Sequence, residues 1–431
     1  MSPIRAFQRG EKSASFAFLA VTIAALFAPN LAASEAASEA ASEAAPESVS
    51  KASLPAANEP KIIALAAGWE FSLALDTNGR LYAAGNNGYG QLGLGDGKNR
   101  DVFTIAKSLK AQKIVAIAAG NYHALAVDSG GKVYAAGLNG AGQLGLGDND
   151  NRNAFELVAS LEGKKIAAVA AGVYHSFAID SGGDVYATGM NFNGQLGLGT
   201  SRDNADRNVF ALVKSLEGKK IVAIAAGREH SLALSADGKV YAAGYSLRGQ
   251  LGLGAVDFAE FNETFTLIAP LSDKKIVAIA AGGGYSLAAD SNGKLYATGA
   301  NDSGQLGLGD SGVRNDRNIF MPASLEGKKI VAIAAGDSHS LALDSEGGVY
   351  AAGDYFCGKL GLGDKKSRNV FTPAQSLEGK RIVMIVAGGD HSLALDTDGK
   401  IYGAGNHASG QLGLGELDAE GVFVPVSLND R

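Results

Sequence analysis

One unit of sequence is repeated seven times in this chain. Successive copies begin 52, 52, 55, 55, 54 and 52 residues apart. Each copy contains segments resembling KIVAIAAG, HSLALD and KVYAAG, followed by GQLGLG or, once, GKLGLG. A fixed period of this length indicates one supersecondary unit repeated in a stack or a ring. The copies begin at Ile62, Ile114, Ile166, Ile221, Ile276, Ile330 and Ile382.

The repeat is built from short strands and tight turns. In the last HSLALD segment, His391 and Leu393 share one face of a strand, because side chains alternate along it. The segment Asp76–Gly79 predicts a hairpin turn, since Asn and Gly tolerate positive φ. Three such strands, with a fourth at the Arg-Asn-x-Phe segment, make one antiparallel unit. The sequence therefore predicts an all-β fold, a seven-bladed β-propeller of four-stranded antiparallel blades.

The repeat resembles that of a known family. The pattern AAGxxHSLALxxxGKVYAxGxNxxGQLGLG resembles the repeat of the regulator of chromosome condensation (RCC1) family, in the form of exported bacterial-type propellers. The resemblance covers residues 61–431 and implies a seven-bladed propeller. It also implies Trp near the end of the third strand, where this chain has small residues such as Ala84 and Thr188. We therefore expect smaller side chains to pack between the blades.

The ends of the repeat region suggest how the ring closes. The chain enters at the first strand and ends after VFVPVSL. We predict that Val422–Leu428 supplies a strand missing from the first blade. The alternative is a complete final blade without such an exchange.

The glycine-rich hexapeptide predicts a connector and not a nucleotide site. Gly88, Gly90 and Gly93 match GxGxxG, but a dinucleotide site requires a helix after this turn and none is predicted. Its glycines allow the backbone to turn and to approach neighbouring segments closely.

The HSLALD segment holds Ser, His and Asp without predicting a hydrolase. Adjacent His and Ser on one strand point to opposite faces and cannot pair as a catalytic triad requires. The histidine is replaced by Phe71 and Tyr285 in two copies, which favours a planar side chain that fills a slot in each blade. The repeated arginine, Arg100 in the first copy, is predicted to latch the connector to backbone carbonyls or to Asp96. A ring of five such arginines that binds an anion is the alternative.

The N-terminal sixty residues are predicted to lie outside the propeller. Residues 1–33 have the basic, apolar and small-residue order of a secretory signal peptide. An uncleaved anchor or an organelle transit peptide is the alternative. Residues 34–60 form an Ala/Ser/Glu low-complexity spacer without large apolar residues, or alternatively a tail that docks a partner. We expect a secreted or periplasmic protein, with no membrane association after signal removal.

Composition bounds the possible partners and chemistry. The formal net charge of -6 gives no basic footprint for nucleic acid. The single cysteine, Cys357, excludes an internal disulfide framework and any cysteine cluster for zinc. We expect no metal, no cofactor and no catalytic constellation, and we expect a monomer.

Recognition is predicted at one end of the ring. Antiparallel strands place the two residues after AAG and the four residues before GQLGLG at the same end. Aromatic and arginine side chains dominate binding hot spots. The alternative is that these rings only pack neighbouring blades. The candidate partner-binding residues are Trp69, Tyr89, Tyr122, Tyr174, Phe192, Arg228, Tyr245, Arg248, Tyr355 and Phe356.

These features favour a non-catalytic, exported protein-interaction scaffold. The resemblance implies an alternative, a guanine-nucleotide exchange factor or effector acting on a Ran-type small GTPase. Exchange in that family depends on a hairpin inserted in one blade, and copies of 52 to 55 residues leave no room for it.

Overall fold

The computed structural model describes residues 60–202, 205–254, 261–325, 327–415, 421–426 and 428. They contain seven four-stranded antiparallel sheets, and in every sheet the strands follow one another in chain order. The seven-bladed propeller predicted from the repeat is therefore confirmed. The predicted signal peptide at 1–33 and the predicted spacer at 34–60, except for Pro60, lie outside the described residues.

Each sheet, called a blade below, takes its four strands from one copy of the repeat. The first strands are β1 Ile62–Ala67, β5 Ile114–Ala119, β9 Ile166–Ala171, β13 Ile221–Ala226, β17 Ile276–Ala281, β21 Ile330–Ala335 and β25 Ile382–Ala387. The second strands are β2 Phe71–Asp76, β6 His123–Asp128, β10 His175–Asp180, β14 His230–Ser235, β18 Tyr285–Asp290, β22 His339–Asp344 and β26 His391–Asp396. The third strands are β3 Leu81–Gly85, β7 Val133–Gly137, β11 Val185–Gly189, β15 Val240–Tyr245, β19 Leu295–Gly299, β23 Val349–Gly353 and β27 Ile401–Gly405. The fourth strands are β4 Arg100–Ile105, β8 Arg152–Leu157, β12 Arg207–Leu212, β16 Phe261–Leu267, β20 Arg317–Pro322, β24 Arg368–Pro373 and β28 Val424–Val426.

The described residues contain short 3₁₀ turns and no α-helix. Five of the turns follow a fourth strand, and two lie in the connector before one. None of these 3₁₀ helical turns is long and apolar enough to cross a membrane. The turns are Lys107–Leu109, Ala159–Leu161, Lys214–Leu216, Ala269–Leu271, Val313–Asn315, Phe356–Gly358 and Gln375–Leu377.

Burial follows the position of a strand in its blade. The first strands surround the axis, since each contacts the first strand of the next blade and β25 contacts β1. The second strand β2 is buried along its whole length. In the outermost strand β4, only Phe103 is buried. The apolar core therefore lies between the blades, where the inner strands face their neighbours.

The seventh blade is complete within its own repeat. Strand β28 pairs with β27 through Gly403 and Val424, and the fourth position of the first blade is filled by β4. The prediction that Val422–Leu428 completes the first blade is wrong, and the alternative of a complete final blade is confirmed. The physical reason is that every copy supplies all four strands, so the first blade lacks none.

The GQLGLG connector joins neighbouring blades. In the first blade, Leu94 bridges to Ala154 in the fourth strand of the second blade, and the Gly95 amide donates to the Asn153 carbonyl at 2.7 Å. Gly90 has φ +82°, and a Cβ there would lie 2.4 Å from the Asn153 Cα. The glycines are therefore needed for positive φ and close approach, as predicted. The seventh connector reaches the first blade in the same way, since the Gly415 amide donates to the Asp101 carbonyl.

Candidate partner-binding face

The residues that differ between repeats lie at one end of the ring. The Asn86 amide donates to the Glu70 carbonyl at 2.8 Å, which joins the connector after β3 to the loop after β1. The same bond joins Leu138 to Tyr122 in the second blade. The predicted shared end is confirmed. We call this end, formed by residues 69–70 and 86–89 and their equivalents in the other blades, the variable face.

Three of the candidate residues form a row of rings across three blades. The ring centroids of Tyr89 and Tyr122 lie 5.5 Å apart at 69°, and those of Tyr122 and Tyr174 lie 6.4 Å apart at 30°. Tyr89 is 44% exposed, and the other two are half-buried. We call these three residues the tyrosine row. It combines packing between blades with an accessible aromatic surface.

Trp69 and Phe192 are two further aromatic candidates, in the first and third blades. A Cβ at Gly389 would lie 2.9 Å from the Trp69 Cδ2, so the indole packs on the backbone of the seventh blade. Phe192 in the third blade is 49% exposed. Trp69 is therefore used at least in part for packing between blades, whereas half of the Phe192 side chain is accessible to a partner.

Three further candidate residues line a polar cavity of about 350 Å³ over blades four to six. They are Arg228, Tyr245 and Arg248. Gly283 and Gly284 of the fifth blade also line it, and no other blade has glycine at both of these positions. Both arginines are ion-paired there. Arg228 pairs with Asp337 at 2.8 Å, and Arg248 pairs with Asp302 at 2.7 Å and with Asp316 at 2.5 Å.

The sixth blade carries an aromatic pair beside a buried cation that sequence reasoning missed. Phe356 is 55% and Tyr355 38% exposed. Lys359 is 1% exposed, and its Nζ lies 2.8 Å from carboxylate oxygens of both Asp354 and Asp390. The signal for this site was the departure GKLGLG, where Lys359 replaces the glutamine of the other copies.

The central channel opens onto the same face. Its volume is about 770 Å³, and the first strands line it with small apolar residues. Trp69, Arg228 and Asp337 stand at its rim. Among the described residues, no group of three or more His, Cys, Asp or Glu side chains is arranged to hold a metal ion.

Histidine and serine of the HSLALD segments meet between blades. The His123 Nε2 lies 2.8 Å from the Ser176 Oγ, and the His391 Nε2 lies 2.9 Å from the Ser72 Oγ across the closure of the ring. As predicted, His and Ser that are adjacent in one strand do not pair with each other. Each of them pairs instead with a residue of a neighbouring blade, which the prediction did not include. The two faces of a blade meet two different neighbours, so the pair forms from successive repeats. The other pairs are His175 with Ser231, His230 with Ser286 and His339 with Ser392.

These pairs are structural and not nucleophilic. The Ser176 hydroxyl donates its one proton to the Gln143 carbonyl at 2.8 Å, so the His123 Nε2–H must donate to the serine. Both side chains are fully buried. Burial lowers the pKa of His123, His175 and His391 to about 3. Burial also lowers the pKa of His230 to about 4 and that of His339 well below 6.5. The imidazoles are therefore neutral at pH 7.

At two interfaces between blades, another aromatic residue stands in place of the histidine. At the first interface Phe71 stands in place of the histidine and Ala124 in place of the facing serine, so no polar atom is left unpaired. At the fifth interface the Tyr285 hydroxyl contacts the Ser340 Oγ at 3.0 Å and the His339 carbonyl. The prediction of a planar side chain in each slot is confirmed. The paired replacement was the sequence signal for the contact.

The repeated arginines latch the connectors. Arg100 donates to the Lys98 carbonyl at 2.7 Å and pairs with Asp96 at 2.8 Å. The Arg100 guanidinium is the main cause that lowers the pKa of the Asp96 carboxyl. Since the equivalent arginines at 152, 317 and 368 also pair with aspartates, their charge is neutralised and the anion-ring alternative is not supported. These pairs are Arg152 with Asp148, Arg317 with Asp310 and Arg368 with Asp364.

The repeat region of this chain is similar to known protein families and to known proteins. An RCC1-like domain matches residues 28–322, and regulator of chromosome condensation (RCC1) repeats match residues 330–358, 346–395 and 382–411. The chain is 35% identical over 326 residues to the ultraviolet-B receptor UVR8 of Arabidopsis thaliana, covering 74% of this chain and 71% of the receptor. It is 32% identical over 340 residues to the E3 ubiquitin-protein ligase HERC2 of Homo sapiens, covering 78% of this chain but 7% of the ligase.

Solved structures share the architecture. The crystal structure of Prp20p from Saccharomyces cerevisiae, described with its binding properties to Gsp1p and histones, superimposes with a TM-score of 0.73 at 25% identity. The superposition covers 82% of this chain and 87% of Prp20p. Human WBSCR16 superimposes with a TM-score of 0.72 at 23% identity, over 81% of this chain and 94% of that one.

Proposed function

The chain belongs to the RCC1 repeat family, and from this premise we propose that it is a non-catalytic protein-interaction scaffold. Its partner is a protein that binds the aromatic and charged side chains of the variable face. The alternative that these rings only pack neighbouring blades is disfavoured by the exposure of Tyr89 and Phe192, at 44% and 49%.

One observation carries this proposal. The residues that recur in every repeat are used to build the ring, as strands, connectors and buried pairs. The residues that differ are gathered at one end, on loops held by a rigid scaffold, where binding residues are usually found. Recognition by this protein therefore depends on the tyrosine row, the arginine-lined cavity and the aromatic pair of the sixth blade.

The proposed absence of catalysis is supported by the surroundings of the polar side chains that most resemble catalytic groups. The Ser176 hydroxyl is buried and its proton is held by a carbonyl, so it is not an accessible nucleophile. The carboxylates Asp354 and Asp390 share the ammonium of Lys359 and do not flank an open site as an acid and base pair. In the described part of the chain, these were the strongest candidates for catalytic groups.

The relatives support a binding role without naming the partner. A receptor and a ubiquitin-protein ligase both carry sequences similar to this chain, and Prp20p was described with its binding to Gsp1p and histones. Because one fold serves proteins of different activity, we assign the binding role to the variable face of this chain and not to the fold itself.

The proposal includes export. The order of residues 1–33 supports a cleaved signal peptide, and the composition of 34–60 supports a solvated spacer before the ring. The mature protein is then a secreted or periplasmic monomer without membrane association. Mass spectrometry of the natural protein tests this proposal, since cleavage gives a chain that begins near residue 34, and an intact N-terminus contradicts it.

A second candidate is guanine-nucleotide exchange on a Ran-type small GTPase. The similarity to Prp20p favours it, and the repeat spacing opposes it, because copies that begin 52 to 55 residues apart leave no room for an inserted hairpin. A nucleotide-release assay separates the two candidates. We expect no acceleration of release from a Ran-type GTPase, and catalytic acceleration would favour the exchange factor.

Affinity capture with the mature chain tests the proposed scaffold. We expect a protein partner that is retained by the natural chain and lost when Trp69→Ala is combined with Tyr122→Ala. The matched control is Leu157→Ala, which alters a residue of 42% exposure on an outer strand. Equal capture by the Trp69 and Tyr122 variant and by the control would remove the variable face as the binding surface.

A further inference from the structure

We propose that the tyrosine row, with Glu70 beside it, receives a cationic side chain from a basic segment of the protein partner. The inference rests on the proposed function, because it names the chemistry of the partner at the same face. The side chain is an arginine or a lysine in an extended or flexible segment. Three features of the variable face favour such a side chain: the rings of the row, the charge of Glu70 and the balance of charge around them.

The tyrosine row offers ring faces that attract a cation. An aromatic ring carries partial negative charge on its face, so an ammonium or guanidinium group within about 6 Å of the ring centroid is attracted to it. The three rings lie 5.5 Å and 6.4 Å apart in sequence across three blades. Tyr89 keeps 44% of its surface exposed, so this patch is accessible from solvent. Tyr89 is therefore the ring of the row that is most accessible to an incoming guanidinium.

Glu70 supplies a negative charge next to the row. Its Oε2 accepts hydrogen bonds from the Asn86 Nδ2 at 3.0 Å and from the Ser409 Oγ at 3.3 Å. Asn86 lies three residues before Tyr89 in the same connector. Burial, then Tyr174, then the charge of Glu70 raise the pKa of the Tyr122 hydroxyl, and the charge of Arg228 lowers it, so both charged groups lie within electrostatic reach of the middle ring.

The charge of Glu70 is not neutralised by an ion pair within the described part of the chain. Both of its hydrogen-bond donors are neutral, and among the described residues no Lys or Arg forms an ion pair with it. By contrast, Arg228 is paired with Asp337 at 2.8 Å. Arg248 is likewise paired with Asp302 at 2.7 Å. A carboxylate that is fixed by hydrogen bonds beside aromatic rings, and that has no ion-pair partner among the described residues, is complementary to a cation from a partner protein.

The other charged residues of the variable face also favour a partner with positive charge. Its variable positions hold six carboxylates and two arginines. Four of the carboxylates are paired with Arg228, Arg248 or the buried Lys359, so among the described residues Glu70 and Glu229 are the two without an ion pair, and an acidic partner would be repelled there. A purely apolar partner would leave Glu70 without compensation in the interface, which is unfavourable for a desolvated charge. The carboxylates are Glu70, Glu229, Asp302, Asp337, Asp354 and Asp390.

A peptide titration tests the inference apart from any natural partner. The probe is a fluorescein-labelled peptide with three arginines separated by glycine and serine, and its neutral counterpart carries citrulline in place of arginine. Fluorescence anisotropy is measured with the full mature chain at about 50 mM and about 300 mM NaCl. We expect the arginine peptide to bind, to weaken at the higher salt, and to bind at least about fivefold more tightly than the citrulline peptide.

Glu229→Gln is the matched control for Glu70→Gln. Both residues occupy the same position in the repeat and both changes remove one negative charge, but Glu70 lies in the blade next to that of Tyr122 and acts on its hydroxyl, whereas Glu229 lies two blades from Tyr122. We expect Glu70→Gln to weaken the arginine peptide about five- to tenfold and Glu229→Gln to change it less than about twofold. Tyr122→Phe keeps the ring and is expected to retain binding, whereas Tyr122→Ala loses it.

The outcomes separate this inference from the proposed function. No binding of the arginine peptide, equal binding of the citrulline peptide, or equal effects of the two glutamine variants would each overturn the cationic assignment. A natural partner that depends on Tyr122 but is unaffected by Glu70→Gln would leave the scaffold standing and overturn this inference alone. A partner indifferent to both residues would overturn the two together.

Discussion

Replacing one histidine pair between blades by the apolar pair that the chain already uses tests how the ring depends on pH. The change is His123→Phe with Ser176→Ala, which copies Phe71 and Ala124 at the first interface. Burial lowers the pKa of His123 to about 3, and an unfolded histidine titrates near 6.5. Below pH 6.5 the unfolded chain therefore binds a proton that the folded chain does not. Folding stability falls as pH drops from about 6.5 toward about 3.

The magnitude follows from linkage. At pH 5 a histidine neutral in the fold and free to titrate when unfolded costs about 2 kcal/mol relative to pH 8, and the slope there is about 1.4 kcal/mol per pH unit. Five buried histidines, at 123, 175, 230, 339 and 391, together cost about 10 kcal/mol at pH 5, which is comparable with the stability of a typical domain. Carboxylates with lowered pKa, such as Asp96, add almost nothing between pH 7.5 and pH 5, because an unfolded aspartate titrates near 3.9.

Urea unfolding at pH 7.5 and pH 5 measures the effect. We expect the natural chain to lose most of its stability between these values, and the double variant to lose about 2 kcal/mol less. Phe71→Leu is the control, since it removes packing at an interface without histidine and should leave the pH dependence unchanged. Equal losses for the natural chain and the double variant would refute the assignment of acid sensitivity to these buried imidazoles.

Two further changes test the packing of the ring by urea unfolding at pH 7.5. Gly90→Ala places a Cβ 2.4 Å from the Asn153 Cα at φ +82° and should destabilise by about 3 kcal/mol, whereas Gly163→Ala, at φ +80° with nothing within 4 Å, should cost about 1 kcal/mol. Equal costs would show that the connector does not approach the next blade. Lys359→Met leaves Asp354 and Asp390 without their ammonium and should cost about 3 kcal/mol, part of which Asp390→Asn restores. No recovery in the combined variant would contradict this account of the buried cation.

The repeat predicted the ring because its period and its alternation are local properties of the sequence. Strand order, turn positions and the shared end of the variable stretches followed from antiparallel pairing alone. The closure of the ring was predicted incorrectly, because the sequence after Gly421 is compatible with either blade and only the pairing of β28 with β27 decides between them.

Contacts between blades were the part that local patterns could not show. His123 and Ser176 are 53 residues apart, and their contact depends on how one blade is placed against the next. The joint replacement at Phe71 and Ala124 would have indicated it, had the two positions been compared across successive repeats. The tyrosine row was placed at the correct end from sequence, but its ring contacts depend on the same placement. Lys359 was visible as a departure from the repeat, without its partners.

Binding of the captured partner to two matched triple variants tests the central claim most directly. One variant replaces the tyrosine row, Tyr89, Tyr122 and Tyr174, by alanine. The other replaces Leu157, Val209 and Val370 by alanine, side chains of 42%, 42% and 45% exposure on outer strands of three blades. We predict that the first variant loses the partner while remaining folded at the temperature of the binding assay, and that the second binds as the natural chain does. Retained binding by the first variant, or loss by the second, would contradict recognition through the variable face.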